Sequence, residues 1–268
     1  MSSPVYFLLH VPKCAGTTVE QHFEAHLGSR FTLAPRRRGM GRNFHGPHST
    51  LDGLDDARID QLTALSGHSL SQSLSQNFPG RQVREAVLLR DPLSYFLSFY
   101  NYRIARHTER GQAEPPPFAT WYQSMRKNPM SRFIMNRYFE VGYPRLYRYS
   151  SADRLAFLEE RLTHFYFVGS YRHCNEMVAG ISREIGIDDT VAERNVAATY
   201  HISTADIDKA TQELIQTENA LDQALFDRWK DRKWSGYSAS VTPHLPAHDR
   251  TRYLTTDISS AIHRRWRG

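Results

Sequence analysis

Cysteine is scarce in this chain, with only Cys14 and Cys174. Two thiols so far apart build neither a disulfide scaffold nor a four-ligand zinc site. Long apolar runs are also missing. The longest, Val5 to Leu9, falls far short of the roughly 20 residues a membrane helix needs. No basic stretch followed by an apolar one opens the chain, so no secretory leader is read. These absences predict a cytoplasmic protein with no transmembrane segment. No period of about 20 to 50 residues repeats, which excludes a solenoid or propeller. No linker-like composition interrupts the pattern, so residues 1–268 read as one domain, with 235–268 an extended or mobile tail.

Lysine is scarce too. Of 34 basic residues only Lys13, Lys127, Lys209, Lys230 and Lys233 are lysines, and the other 29 are arginines. The chain carries a formal charge of +6, which points to an anionic ligand. Arginine forks match phosphate, sulfate or carboxylate through paired hydrogen bonds. Composition alone leaves nucleic acid, nucleotide and acidic glycan open. At 268 residues and 40% hydrophobic, the chain can bury a sizeable core without staples.

Apolar runs at Val5–Leu9, Val83–Leu89 and Phe165–Ser170 read as buried strands. Helices alternate with them. Val19, Phe23 and Leu27 form one stripe, starting at Thr17 or Thr18 and stopped by Gly28. Pro92 opens a second helix, with Leu93, Phe96, Leu97, Tyr100 and Ile104 on one face. Beyond Pro115-Pro116-Pro117, Phe118, Trp121, Tyr122 and Met125 form another stripe. Cys174, Met177, Val178, Ile181 and Ile185 lead to Gly186. Residues 204–232 read as mostly helical, with Leu214, Ile215, Leu221, Leu225 and Trp229 turned to the core. Residues 30–66 read as irregular. Strands alternating with helices predict an α/β fold with a mainly parallel sheet flanked by helices.

The first strand runs into Pro12-Lys13-Cys14-Ala15-Gly16 and then a helix opening on Thr17-Thr18. Small residues, a helix N-terminus and a lysine together make an anion site. The nucleotide-hydrolase version places lysine directly after the last glycine, whereas here Lys13 precedes Gly16. No strand ends in a convincing metal-binding aspartate, so the expectation is a phosphate cradle without a metal. Arg90 follows the strand at Val83–Leu89, and Ser98 lies eight residues on, two turns into the next helix. Both can face one phosphate, because ligands of α/β sheets sit off the strand ends.

His10-Val11-Pro12-Lys13-Cys14-Ala15-Gly16-Thr17-Thr18 resembles the 5′-phosphosulfate loop of sulfotransferases, nearest the heparan sulfate 2-O-sulfotransferase and bacterial carbohydrate sulfotransferase branch. Arg90 with Ser98 resembles the second half of that family's nucleotide signature. Looser likenesses occur at Asn128–Phe133, Phe167–Ser170 and Asn219–Phe226, so the resemblance spans about residues 5–232. Cys14 departs from the family's usual Thr or other small residue. The resemblance implies a P-loop-type three-layer fold. It also implies sulfuryl transfer from 3′-phosphoadenosine 5′-phosphosulfate (PAPS) to an acceptor hydroxyl, with adenosine 3′,5′-bisphosphate (PAP) released and no metal needed. The nucleotide would be bound by Lys13, Cys14, Ala15, Gly16, Thr17, Thr18, Arg90 and Ser98, with Lys13 stabilising the leaving charge.

A general base for the acceptor is read at His68, in Gly67-His68-Ser69, where the resembling branch carries its catalytic histidine. His45, His48 and the carboxylate Glu20 stay open as alternatives. The acceptor is expected to be a small molecule or glycan. The basic run Arg36-Arg37-Arg38-Gly39-Met40-Gly41-Arg42 is either an acceptor contact or a solvated charge run. Two readings compete with sulfuryl transfer: a P-loop kinase or NTPase-like phosphotransferase, and a nucleic-acid-binding protein using the net charge. The missing nucleic-acid module argues against the second.

Overall fold

The computed structural model describes residues 3–35, 51–192 and 202–234. The basic run at 36–42, His45, His48 and the segment 235–268 lie outside the described residues. Strand β1 (Val5–Leu9) leads to helix α1 (Gly16–Leu27), followed by the short strand β2 (Phe31–Leu33). Helix α2 (Asp56–Gln61), strand β3 (Ala64–Gly67) and strand β4 (Val83–Leu89) come next. The long helix α3 (Pro92–Glu109) precedes three short pieces, α4 (Phe118–Gln123), α5 (Pro129–Phe133) and a π-helical turn at Ile134–Tyr138. After α6 (Tyr143–Arg148) and α7 (Ser151–Thr163), strand β5 (Phe167–Ser170) completes the sheet. Helices α8 (Cys174–Ile185), α9 (Lys209–Glu218) and α10 (Ala220–Trp229) follow.

Every strand pairing is parallel, and the order is β2-β3-β1-β4-β5. The α/β expectation holds, and the region read as irregular is corrected. It contains β2, α2 and β3. Ala64-Leu65-Ser66-Gly67 has a small apolar count and no alternation, so its burial on both faces was invisible in the pattern. Helices α6 and α7 were also missed, although Ser150 and Asp153 form a capping box at the start of α7. The third strand begins at Phe167 rather than Phe165. Leu214, expected in the core, is exposed, while its neighbour Ile215 is fully buried.

The strand order explains where a ligand fits. From β1 the chain crosses toward β2 and β3 on one side, and from β4 it crosses toward β5 on the other. Diverging crossovers leave a crevice at the C-terminal ends of β1 and β4. Leu9 pairs with Val87 and with Gly67, and Leu89 pairs with Ser170. The residues following these ends, His10, His68, Arg90 and Tyr171, therefore emerge along one rim.

Below the rim, helices cover both faces. Leu8, Ser66, Ala86 and Leu88 line one small cavity together with Val19 of α1 and Met177 of α8. On the opposite face Phe7 meets Phe78 edge-on, and Tyr138 donates to Oε1 of Glu85 at 3.1 Å. Glu85 is buried in β4, and its Oε2 has no hydrogen-bond partner among the described residues. Burial pushes its carboxyl up to about 7, against the opposing Tyr138 hydrogen bond. Because the folded value lies above the unfolded one, this residue's stabilising contribution is full at low pH and lost as pH rises through about 7. Chemical denaturation across that range should show stability falling with pH, and Glu85→Gln should flatten that slope.

Candidate active site

Beyond β1 the backbone makes a tight turn with Lys13 and Ala15 both left-handed, at φ 64°. Non-glycine residues adopt this at a cost of about 1–2 kcal/mol each, so the turn must be held by its surroundings. Cys14 N donates to the Val11 carbonyl at 3.2 Å, and Thr18 N to that of Ala15 at 3.1 Å. Helix α1 begins at Gly16, earlier than the threonine start expected. Its first-turn N–H groups have no helical acceptor before them and carry the positive end of the helix dipole. Thr17 is exposed beside them and Thr18 half-buried.

Gly16 has a more specific reason than anion access. A Cβ there would lie 2.0 Å from Cδ2 of His10, so the His10 ring occupies the space of a side chain. Cys14 is turned inward, with Sγ 3.8 Å from Sδ of Met130, and burial raises its thiol pKa. Its side chain supports the loop from beneath, which leaves its backbone as the part of Cys14 facing the turn.

Arg90, directly after β4, closes the turn from the other side of the crevice. Its Nη1 donates to the Lys13 carbonyl at 2.9 Å, and its guanidinium lies 4.2 Å from the centre of the Tyr171 ring. Its Nε is buried with no hydrogen-bond partner among the described residues. A buried guanidinium N–H left unpaired at a helix-flanked crevice suits an anionic oxygen. The Lys13 ammonium rests 4.3 Å from the centre of the Tyr102 ring, and burial together with Arg90 lowers its pKa. Ser98 is half-buried on α3. Asp91 caps that helix, accepting from Ser94 N at 2.9 Å.

His68 follows Gly67, whose φ of 129° favours glycine and turns the chain out of the sheet. Its Nδ1 lies 2.9 Å from the His10 carbonyl oxygen. A carbonyl only accepts, so Nδ1 carries the proton and Nε2 is the basic nitrogen. The His10 and His68 rings lie 3.9 Å apart, and Phe133 meets His68 edge-on. His68 is exposed overall, yet its ring is crowded on one side. Partial desolvation, then the neighbouring His10, holds its pKa below the usual imidazole value. Nearby, Glu20 Oε1 sits 2.8 Å from His10 Nδ1, though not aligned as a hydrogen bond, and accepts from Ser66 Oγ at 3.1 Å.

A buried polar network braces the loop from behind. Asp222 accepts from Met130 N and Ser131 N, each at 2.8 Å. Asn128 N donates to Asn219 Oδ1 at 2.7 Å, and Asp222 N donates to Asn128 Oδ1 at 3.1 Å. Met130 then touches the loop from below, through Cys14 and through Arg90 N at 3.4 Å from its sulfur. The stretches Asn128–Phe133 and Asn219–Phe226, far apart in sequence, are thus one unit.

The structure brings Lys13, Arg90, His68 and the start of α1 to one rim. It adds Tyr171, Tyr102 and His10, which the sequence reading did not assign. No local pattern marks Tyr171 or Tyr102, whereas His10 lies inside the loop motif itself. Among the described residues no cluster of His, Cys, Asp or Glu is arranged to hold a metal ion, and no helix is long and apolar enough to cross a membrane. A model of the sulfotransferase family matches residues 3–231. No curated protein matches the chain.

Asp222 is fully buried, and burial pushes its carboxyl up to about 6. Asp222→Asn would set an amide NH2 against one of the two backbone N–H groups it now accepts from. The expected loss is about 1–3 kcal/mol of stability, read from the denaturant midpoint.

Proposed function

From the premise that the chain belongs to the sulfotransferase family, we propose that it moves the sulfuryl group of PAPS to a hydroxyl of a carbohydrate or glycoconjugate acceptor. The observation that carries this reading is the bond from Arg90 to the Lys13 carbonyl across the crevice between β1 and β4, with the buried Arg90 Nε unpaired among the described residues and His68 following β3 on the same rim. The residues fit a bisphosphorylated nucleotide: the α1 N-terminus with Thr17 and Thr18 suits the 5′ end, and Arg90 with Ser98 the 3′-phosphate.

The donor brings an activated sulfuryl group. His68 supplies the base, its Nε2 taking the acceptor hydroxyl proton as the acceptor oxygen bonds to sulfur and the sulfur–phosphate oxygen bond breaks. Lys13 offsets the negative charge left on the departing phosphate. Holding donor and acceptor in line supplies the rest, since the protein forms no bond itself. A lowered imidazole pKa keeps His68 unprotonated at neutral pH. Glu20 is engaged by Ser66 and lies against His10, which favours His68 over it as the base.

His68→Ala should lower turnover by about 10²–10⁴-fold while PAP still binds. For the unaltered enzyme, the acid limb of the turnover profile should lie below the ordinary imidazole pKa. In a thermal-shift series PAP should raise the melting temperature and ATP or AMP should do so far less. At about 100 times Kd the gain is about 2.7 kcal/mol. A shift with ATP and none with PAP would favour a phosphotransferase.

A further inference from the structure

We propose that His10 and Glu20 are positioning residues for His68 in one array, the His10 backbone carbonyl selecting which imidazole nitrogen acts as the base and the His10 ring with Glu20 forming the polar setting of that base. The proposal rests on His68 serving as the base in the sulfuryl transfer argued above.

Three contacts build the array. The His10 carbonyl accepts the Nδ1 proton of His68 at 2.9 Å, which assigns the basic lone pair to Nε2. The His10 ring lies against His68 at 3.9 Å with a 40° tilt, so the two imidazoles pack as a pair. Glu20 Oε1 then flanks the far side of His10, 2.8 Å from its Nδ1. The Ser66 hydroxyl has one proton and two acceptors, Leu8 O at 2.8 Å and Glu20 Oε1 at 3.1 Å. Glu20 thus lies between Ser66 and the His10 ring.

The seat of the His10 ring is equally specific. It is 8% exposed and fills the space above Gly16, where a Cβ would stand 2.0 Å from Cδ2. The glycine of the phosphate loop thereby seats the residue whose carbonyl faces His68 Nδ1. Three elements contribute: the end of β1 with His10, α1 with Gly16 and Glu20, and β3 with Ser66 and, just past it, His68. These contacts tie loop and base together, an arrangement that favours a steady spacing of donor and proton acceptor.

The groups that face His68 electrostatically are His10, Glu20 and Arg137 of the π-helical turn. His10 and Arg137 disfavour its imidazolium, and Glu20 favours it. A strut that merely held the loop would change stability and leave the His68 titration alone. The array instead requires opposite shifts from its two members.

The test is ¹⁵N-histidine NMR of the full chain, with the His68 resonances assigned by their loss in His68→Asn. In the unaltered protein His68 should carry its proton on Nδ1. Glu20→Gln should move its titration midpoint to lower pH, and His10→Asn should move it to higher pH. Opposite shifts in variants whose amide spectra remain dispersed support the proposal. Shifts of one sign, or none, overturn it. Should a variant fail to fold, the unaltered chain decides alone: His68 found protonated on Nε2 overturns the array. PAP binding to the unaltered chain reads the sulfotransferase mechanism separately. A chain that binds PAP but shows the Nε2–H form defeats only the array, and one that shows the opposed shifts without binding PAP defeats only the nucleotide reading.

Discussion

The hydrogen bond from Arg90 Nη1 to the Lys13 carbonyl joins the ends of β1 and β4 across the crevice. Much of the site depends on it. The loop it clasps contains two left-handed non-glycine residues, a conformation that would relax if left alone. Arg90 holds that turn from one side and the His10 ring from another, while Cys14 anchors it below. The same guanidinium lies over Tyr171 and holds a buried Nε unpaired among the described residues, so one side chain both shapes the loop and places positive charge at the crevice.

Behind the clasp, the chain accepts costly burial in exchange for rigidity. A fully buried carboxylate at Asp222 is disfavoured by desolvation, yet its two oxygens accept two backbone N–H groups at the start of α5. That contact fixes Met130, whose sulfur meets both Cys14 and the Arg90 amide. Tyr122, Glu218 and Lys127 extend the network toward the surface. Tyr122 donates to Glu218 at 2.8 Å, and Lys127 Nζ lies 2.9 Å from the same carboxylate. The short helices α4 and α5 owe little to their own length, and they are held by these tertiary contacts.

Much of this was legible in the sequence where signals are local. The β1 loop and the Arg90 junction each combine an apolar run, a turn and a helix start, and both stand where expected. Residues 31–33 and 64–67 form strands of three and four residues, too short and too mixed to betray a sheet without their neighbours. His68 was singled out only through the resemblance, since a histidine after glycine has no periodic signature. His10 was visible in the motif but not as a functional side chain, because its partners lie ten residues away at Glu20 and 58 away at His68. The reason for Gly16 was hidden for the same cause: the ring that needs its space comes from the strand before it. Leu214 turned out the opposite way from its core assignment, which depends on helix phase.

The central claim is that Arg90 unites the two halves of a nucleotide site. Calorimetric titration of PAP into the unaltered chain and into Arg90→Ala tests it most directly. A guanidinium bound to a phosphate contributes roughly 1.5–3 kcal/mol, so the account predicts a loss of about tenfold or more in affinity for Arg90→Ala. Equal affinity for PAP in both proteins would contradict it.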